Sequence, residues 1–145
     1  MELTIQSVLL NVTDLQQSIE FYRDVFDFRL QAEGDRVAVI MVSEKDRRQV
    51  LTLREVGANA YHGGRGAVGA RLLAFEVGTS EELLTIEQRL VDRQAFVGQR
   101  QTDTYRAVFG LDPDRIEVAA SFGLTGVPIR SEDWTKIDEL IYAIE

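Results

Sequence analysis

The chain has no cysteine, a single histidine, one tryptophan and two prolines among its 145 residues. Without cysteine there is no disulfide framework, no Cys-ligated zinc, no iron–sulfur cluster and no thiol nucleophile. Positive charge is scarce as well. Sixteen Lys and Arg stand against 24 Asp and Glu, a formal net charge of −8. A nucleic-acid surface needs the opposite, a local excess of Lys and Arg. No apolar run approaches the ~20 residues of a membrane helix. The start, Met1-Glu2-Leu3-Thr4, lacks the basic and apolar regions of a secretory signal. These absences set the expectation of a cytoplasmic protein with neither nucleic acid nor membrane as partner.

What remains suits a globular chain. The composition is 45% hydrophobic and 28% charged, which is ordinary for a folded domain. A chain of this length buries roughly 68–70% of its unfolded surface, enough for one core. A single domain over 1–145 is therefore expected.

Hydrophobic patterning divides the chain into two similar halves. Thr4 to Val12 is apolar and β-branched and reads as a buried strand. Asp14 with Gln17 then resembles a capping box, and Leu15, Ile19, Tyr22 and Phe26 recur at helical spacing. Strands follow at Phe28–Gln31, Val37–Val42 and Val50–Arg54, which completes a first module over residues 3–56. Residues 57–69 hold five glycines and no period, so they read as a linker. The pattern then restarts over 70–121. Ala70 to Val77 is a strand, Thr79 with Glu82 opens a helix lined by Leu83, Ile86 and Leu90, and strands are expected at Phe96–Gln99, Thr104–Phe109 and Ile116–Ala120. Asp112-Pro113-Asp114 marks a turn before the last strand, not a carboxylate pair. Residues 122–145 extend the chain. Their helix opens at Ser131 and carries an apolar stripe of Trp134, Ile137, Ile141 and Ile144.

The spacing from Val12 to Val77 also carries Ser7 to Leu72, Leu9 to Ala74 and Thr52 to Glu117. An internal repeat of strand–helix–strand–strand–strand is the simplest account.

The ordered residues Asp14-Leu15, Ser18, Phe21-Tyr22 and Val25 in the first half, with Ala74-Phe75-Glu76-Val77 and Asp112-Pro113-Asp114 before Ile116-Glu117 in the second, resemble the vicinal oxygen chelate superfamily. This family includes glyoxalase I, extradiol dioxygenases, and fosfomycin- and bleomycin-resistance proteins. The resemblance covers about residues 3 to 121. It implies an α+β fold of paired βαβββ modules whose mixed sheet curls into a cup for a small ligand, with the helices outside, and a homodimer. In metal-dependent members it implies ligands on the first and fourth strands of each module. Those positions here are Ser7, Thr52, Leu72 and Glu117. After the Asp-Pro-Asp turn the family usually has Gly, where this chain has Arg115.

A catalytic metal takes about three protein ligands, and one Glu with two neutral hydroxyls and a Leu does not supply them. No cofactor is expected, with a divalent metal as the alternative. If Ser7 faces the ligand, as the resemblance implies, alternation turns Leu9 and Asn11, Leu72, Ala74 and Glu76, and Glu117 and Ala119 the same way, with Thr52 among the polar points; such a lining suits an organic molecule. Glu117 is the foremost candidate, as a general base or as the partner of a cationic group. Glu76 is expected to be exposed near its strand's end. His62 lies in the Gly-rich stretch; it is either an ordinary surface residue or, with Arg65, brought onto the ligand by that loop. Arg54, Tyr105 and Arg106 are candidate orienting groups whose faces the sequence does not assign.

Two functions follow from the resemblance. The first is a protein that binds or sequesters a small organic molecule in the manner of bleomycin-resistance proteins. The second is a lyase, isomerase or dioxygenase-like enzyme that uses Glu117 as base, or metal ligands relocated among Glu117, Glu76 and His62.

Overall fold

A computed structural model describes residues 1, 3–44, 48–63, 68–70, 72–102 and 105–123. The chain divides between Val68 and Gly69 into two compact units, a boundary inside the expected linker. The first unit runs β1 (Ser7–Val12), α1 (Leu15–Phe26), β2 (Arg29–Glu33), β3 (Val37–Ser43) and β4 (Gln49–Glu55). Its sheet has the order β1-β4-β3-β2. The second runs β5 (Leu72–Glu76), α2 (Ser80–Asp92), β6 (Phe96–Gln101), β7 (Tyr105–Leu111) and β8 (Glu117–Gly123), with sheet order β5-β8-β7-β6. In each sheet the first and fourth strands are parallel and the other pairs antiparallel. Parallel partners need a long crossover, and the helix with two strands provides it. The fold is α+β, and its element order is the expected one.

Local chemistry fixes both helix starts. Asp14 is extended, and its Oδ1 accepts the Gln17 amide at 3.1 Å. Glu55 of β4 accepts the Leu15 amide at 3.2 Å, so two of the four free N–H groups at this end are satisfied. In α2, Thr79 Oγ1 accepts the Glu82 amide at 3.1 Å while the Glu82 carboxylate accepts the Gly78 amide at 3.1 Å. The expected capping box thus forms, with its return leg one residue earlier than the usual pattern.

Each helix lies on one face of its own sheet. Under α1, Leu10, Val12, Ile40, Leu51 and Leu53 are buried together with Phe21, Tyr22 and Val25 of the helix. Tyr22 stacks on Phe26 and Phe28, ring centroids 6.2 and 6.5 Å away. Under α2, Leu83, Ile86 and Leu90 meet Val108, Val118 and Ala120. Here α2 and β7 approach so closely that residue 110 has to be glycine. A Cβ there would lie 2.7 Å from the Ala95 carbonyl oxygen and 2.7 Å from Leu90 Cδ2.

Strand ends differ from the sequence expectation where pairing decides them. β1 begins at Ser7, not Thr4. Its neighbour β4 starts at Gln49, and the Val50 amide donates to the Gln6 carbonyl at 3.0 Å. β8 runs on to Gly123, past Ala120, because β7 supplies Tyr105 as a partner. The expected helix with Trp134, and Arg65 in the linker, lie outside the described residues.

Candidate functional site

Register divides each strand into a side that faces its own unit's helix and a side free of any helix of that unit among the described residues. In the first sheet Leu10 stands beside Leu53 and Val12 beside Glu55, all toward α1. The opposite side carries the rows Ser7–Val50–Met41, Leu9–Thr52–Val39 and Asn11–Arg54–Val37. Ser7 and Leu9 are on the helix-free side, as alternation predicts, and Leu9 is 54% exposed. Thr52 is half-buried beside Leu9. At the end of this face Arg54 Nε donates to Asn11 Oδ1 at 3.0 Å, so the Arg54 side chain belongs to the helix-free side.

The helix-free side of the second sheet has the rows Leu72–Glu117–Leu111, Ala74–Ala119–Phe109 and Glu76–Ser121–Ala107. Its middle is an apolar floor. Ala107, Phe109 and Ala119 are buried, with Leu72, Val97, Tyr105 and Leu111 packed against them. Glu117 retains only 5% of its exposure although it lies on the side of the sheet away from α2. It is thus a buried carboxylate flanked by leucines on both neighbouring strands. Glu76 and Ala74 are exposed. The sequence identified Leu72, Ala74, Glu117 and Ala119 on this side but missed Phe109, Ala107 and Arg100. Alternation along β7 would have found the first two. Arg100 stands opposite Ala107 only because β6 shifts register between Phe96 and Gly98, and such a bulge leaves no plain sequence signal.

Two expectations are corrected. Arg106 is not an orienting group on the helix-free side. It turns toward α2, pairs with Glu87 of that helix, and donates from Nε to Gln99 Oε1 at 3.0 Å. Tyr105, its neighbour, takes the helix-free side. The match of Thr52 to Glu117 also fails. Ser7 stands beside Val50 and Leu72 stands beside Glu117, so a pairing of Ser7 with Leu72 assigns Val50, not Thr52, to the place of Glu117. The second unit is longer between its first and fourth strands: α2 has 13 residues against 12 in α1, and β6 has 6 against 5 in β2.

The Asp112-Pro113-Asp114 segment is a turn, as expected. Asp112 is buried, and its Oδ1 accepts the Asp114 and Ile116 amides, each at 2.8 Å. Arg115 sits in the left-handed region with φ 64°, where family members usually carry Gly. His62 is exposed in the segment after β4.

The divalent ion that the resemblance implies does not fit these residues. The matching positions are Ser7, Val50, Leu72 and Glu117, one anionic donor where about three ligands are needed. Among the described residues, no three His, Asp or Glu side chains are grouped to hold a metal. Also among the described residues, no helix is long and apolar enough to cross a membrane.

Comparison with known proteins agrees with this architecture. The chain is similar in structure to a glyoxylase/bleomycin resistance protein/dioxygenase domain from Frankia sp. EAN1pec, with TM-score 0.67 and 21% identity over 88% of this chain and 96% of that one. Lactoylglutathione lyase from Agrobacterium tumefaciens gives TM-score 0.62 and 23% identity over 86% and 97% of the two chains. The fosfomycin resistance protein FosX from Listeria monocytogenes gives 0.66 and 16% over 86% and 97%. At these identities the likeness speaks for the fold alone. No curated protein matches the chain. The family model for the Glyoxalase/Bleomycin resistance protein/Dioxygenase superfamily matches residues 4–120, most of the sequence, and the chain belongs to that superfamily.

Proposed function

We propose that this protein binds and sequesters a small organic molecule on the helix-free sides of its sheets. The observation that carries this reading is Glu117, a carboxylate buried beside an apolar floor on the side of its sheet away from α2. Apolar surfaces with a few placed polar groups are what small-molecule sites are built from. Leu72 and Ala74 flank it from β5. Ser7, Leu9 and Thr52 offer a second apolar and hydroxyl-bearing surface on the first sheet, and His62 is accessible to a ligand. The reading takes the whole chain as one functional domain that works as a cytoplasmic homodimer, as the family resemblance implies, without nucleic acid or membrane.

The test is a panel of neutral, cationic and anionic aromatic and aliphatic compounds, screened by thermal shift and followed by titration calorimetry. A ligand at about 100 times its Kd adds roughly 2.7 kcal/mol to stability, a shift of several degrees. Glu117→Gln and Ala74→Leu are each expected to weaken that ligand about tenfold or more, equal to ~1.4 kcal/mol. No hit in the panel, or a hit indifferent to both variants, overturns the reading. Turnover of the bound compound that disappears in Glu117→Gln, with binding retained, replaces it by an enzyme with Glu117 as general base.

A further inference from the structure

We infer that this chain does not hold a divalent ion at the places where metal-dependent members of its family hold one, nor at any neighbouring row of either helix-free side. The inference stands on side-chain chemistry in the observed register and is separate from the nature of any organic ligand.

Three rows of the first sheet were available for donors. The row of Ser7 continues into Val50 and Met41, and the row of Leu9 into Thr52 and Val39. Neither contains an anionic or imidazole donor, and neutral hydroxyls and a thioether are poor ligands for Zn, Mn or Mg. The third row contains Asn11, but its Oδ1 already accepts from Arg54, whose fixed positive charge repels a cation. Sliding a site along this sheet finds no ligand set.

Among the described residues, the second sheet has two carboxylates on this side, in different rows. Glu117 shares its row with Leu72, and Glu76 shares its row with Ser121. The rows are four residues apart, roughly 13 Å at the usual strand rise. Side chains stand nearly perpendicular to a sheet, so the two acids do not converge on one ion. Between them lie Ala74 and Ala119, which bear no donor. At its own row Glu117 offers one carboxylate, short of the three ligands a catalytic ion takes.

The test uses the full chain purified without chelator. Metal content by mass spectrometry is expected to be below about 0.1 equivalent of Zn, Ni, Mn or Fe. Titration with Zn²⁺ or Ni²⁺ against a chromogenic chelator is then run on wild type and Glu117→Gln. About one equivalent in the wild type, lost in Glu117→Gln, overturns the inference. An ion retained by Glu117→Gln but lost in Glu76→Gln or Asn11→Ala also overturns it; an ion that all three variants retain sits off these rows and supports it, as does no binding at all. A second variant tests the register itself. Leu72→His places an imidazole beside Glu117 and is expected to raise Zn²⁺ affinity at least about tenfold over wild type. A folded Leu72→His protein with unchanged affinity overturns the assignment of these two residues to one coordination row.

Discussion

Leu72 of β5 stands directly beside Glu117 of β8 in a parallel pair, and Leu111 of β7 flanks the same carboxylate from the other side. The acid is therefore the polar exception in an otherwise apolar row. Its shape matters to packing and its charge to ligands. Glu117→Gln keeps the shape and is expected to change the unfolding free energy by less than about 1 kcal/mol. Urea unfolding with an unchanged slope checks this; a loss of several kcal/mol would make the charge a structural element.

Arg106 and Tyr105 are adjacent, yet they serve opposite sides of β7. Arg106 bridges Glu87 and Gln99 under α2. Its side chain is 22% exposed, so the ion pair is only partly shielded from solvent screening. Arg106→Met is expected to cost about 0.5–1 kcal/mol of stability and to leave ligand affinity unchanged. A tenfold loss of affinity with intact stability would return Arg106 to the binding side.

Gly110 lets α2 rest on β7. Gly110→Ala is expected to destabilise by about 1–3 kcal/mol, because the Ala95 carbonyl that the new methyl meets is backbone and does not swing aside. A lowered urea midpoint checks it, and a variant as stable as wild type would mean that the helix is free to lift.

The turn before β8 carries two opposed effects. Asp112→Ala removes the acceptor of two amide hydrogen bonds and is expected to cost about 1–3 kcal/mol. Arg115→Gly relieves the left-handed conformation, worth roughly 1–2 kcal/mol, against about 0.5–1 kcal/mol of added chain entropy. The net expectation is a gain of about 0.5–1 kcal/mol, seen as a higher midpoint in urea. A less stable Arg115→Gly protein would show that the Arg side chain itself holds the turn.

Much of this architecture was legible because it is local. Asp14 and Thr79 announce helix starts through side chains that reach only three residues ahead. Leu15, Ile19 and Tyr22 mark a buried helix face through a period that neighbours impose. The alternation that separates Leu9 from Leu10, or Phe109 from Val108, is geometry of a single strand. The repeat followed from order, and Ser7, Leu72, Ala74 and Glu117 took their sides by alternation alone.

Pairing between strands was decided only in three dimensions. Which residue stands beside Ser7 depends on how many residues the helix and strands between β1 and β4 take up, and that is not encoded near Ser7. A repeat spacing carried across a helix and a strand of unequal length therefore reached Thr52 where the sheet places Val50. The burial of Glu117 likewise comes from packing and not from its immediate neighbours in sequence. Sequence by itself determined the elements, their caps and their faces, since those follow from short-range sterics and hydrogen bonding. Tertiary structure decided the rows, because each joins residues that are distant in the chain and close only once the sheet has formed.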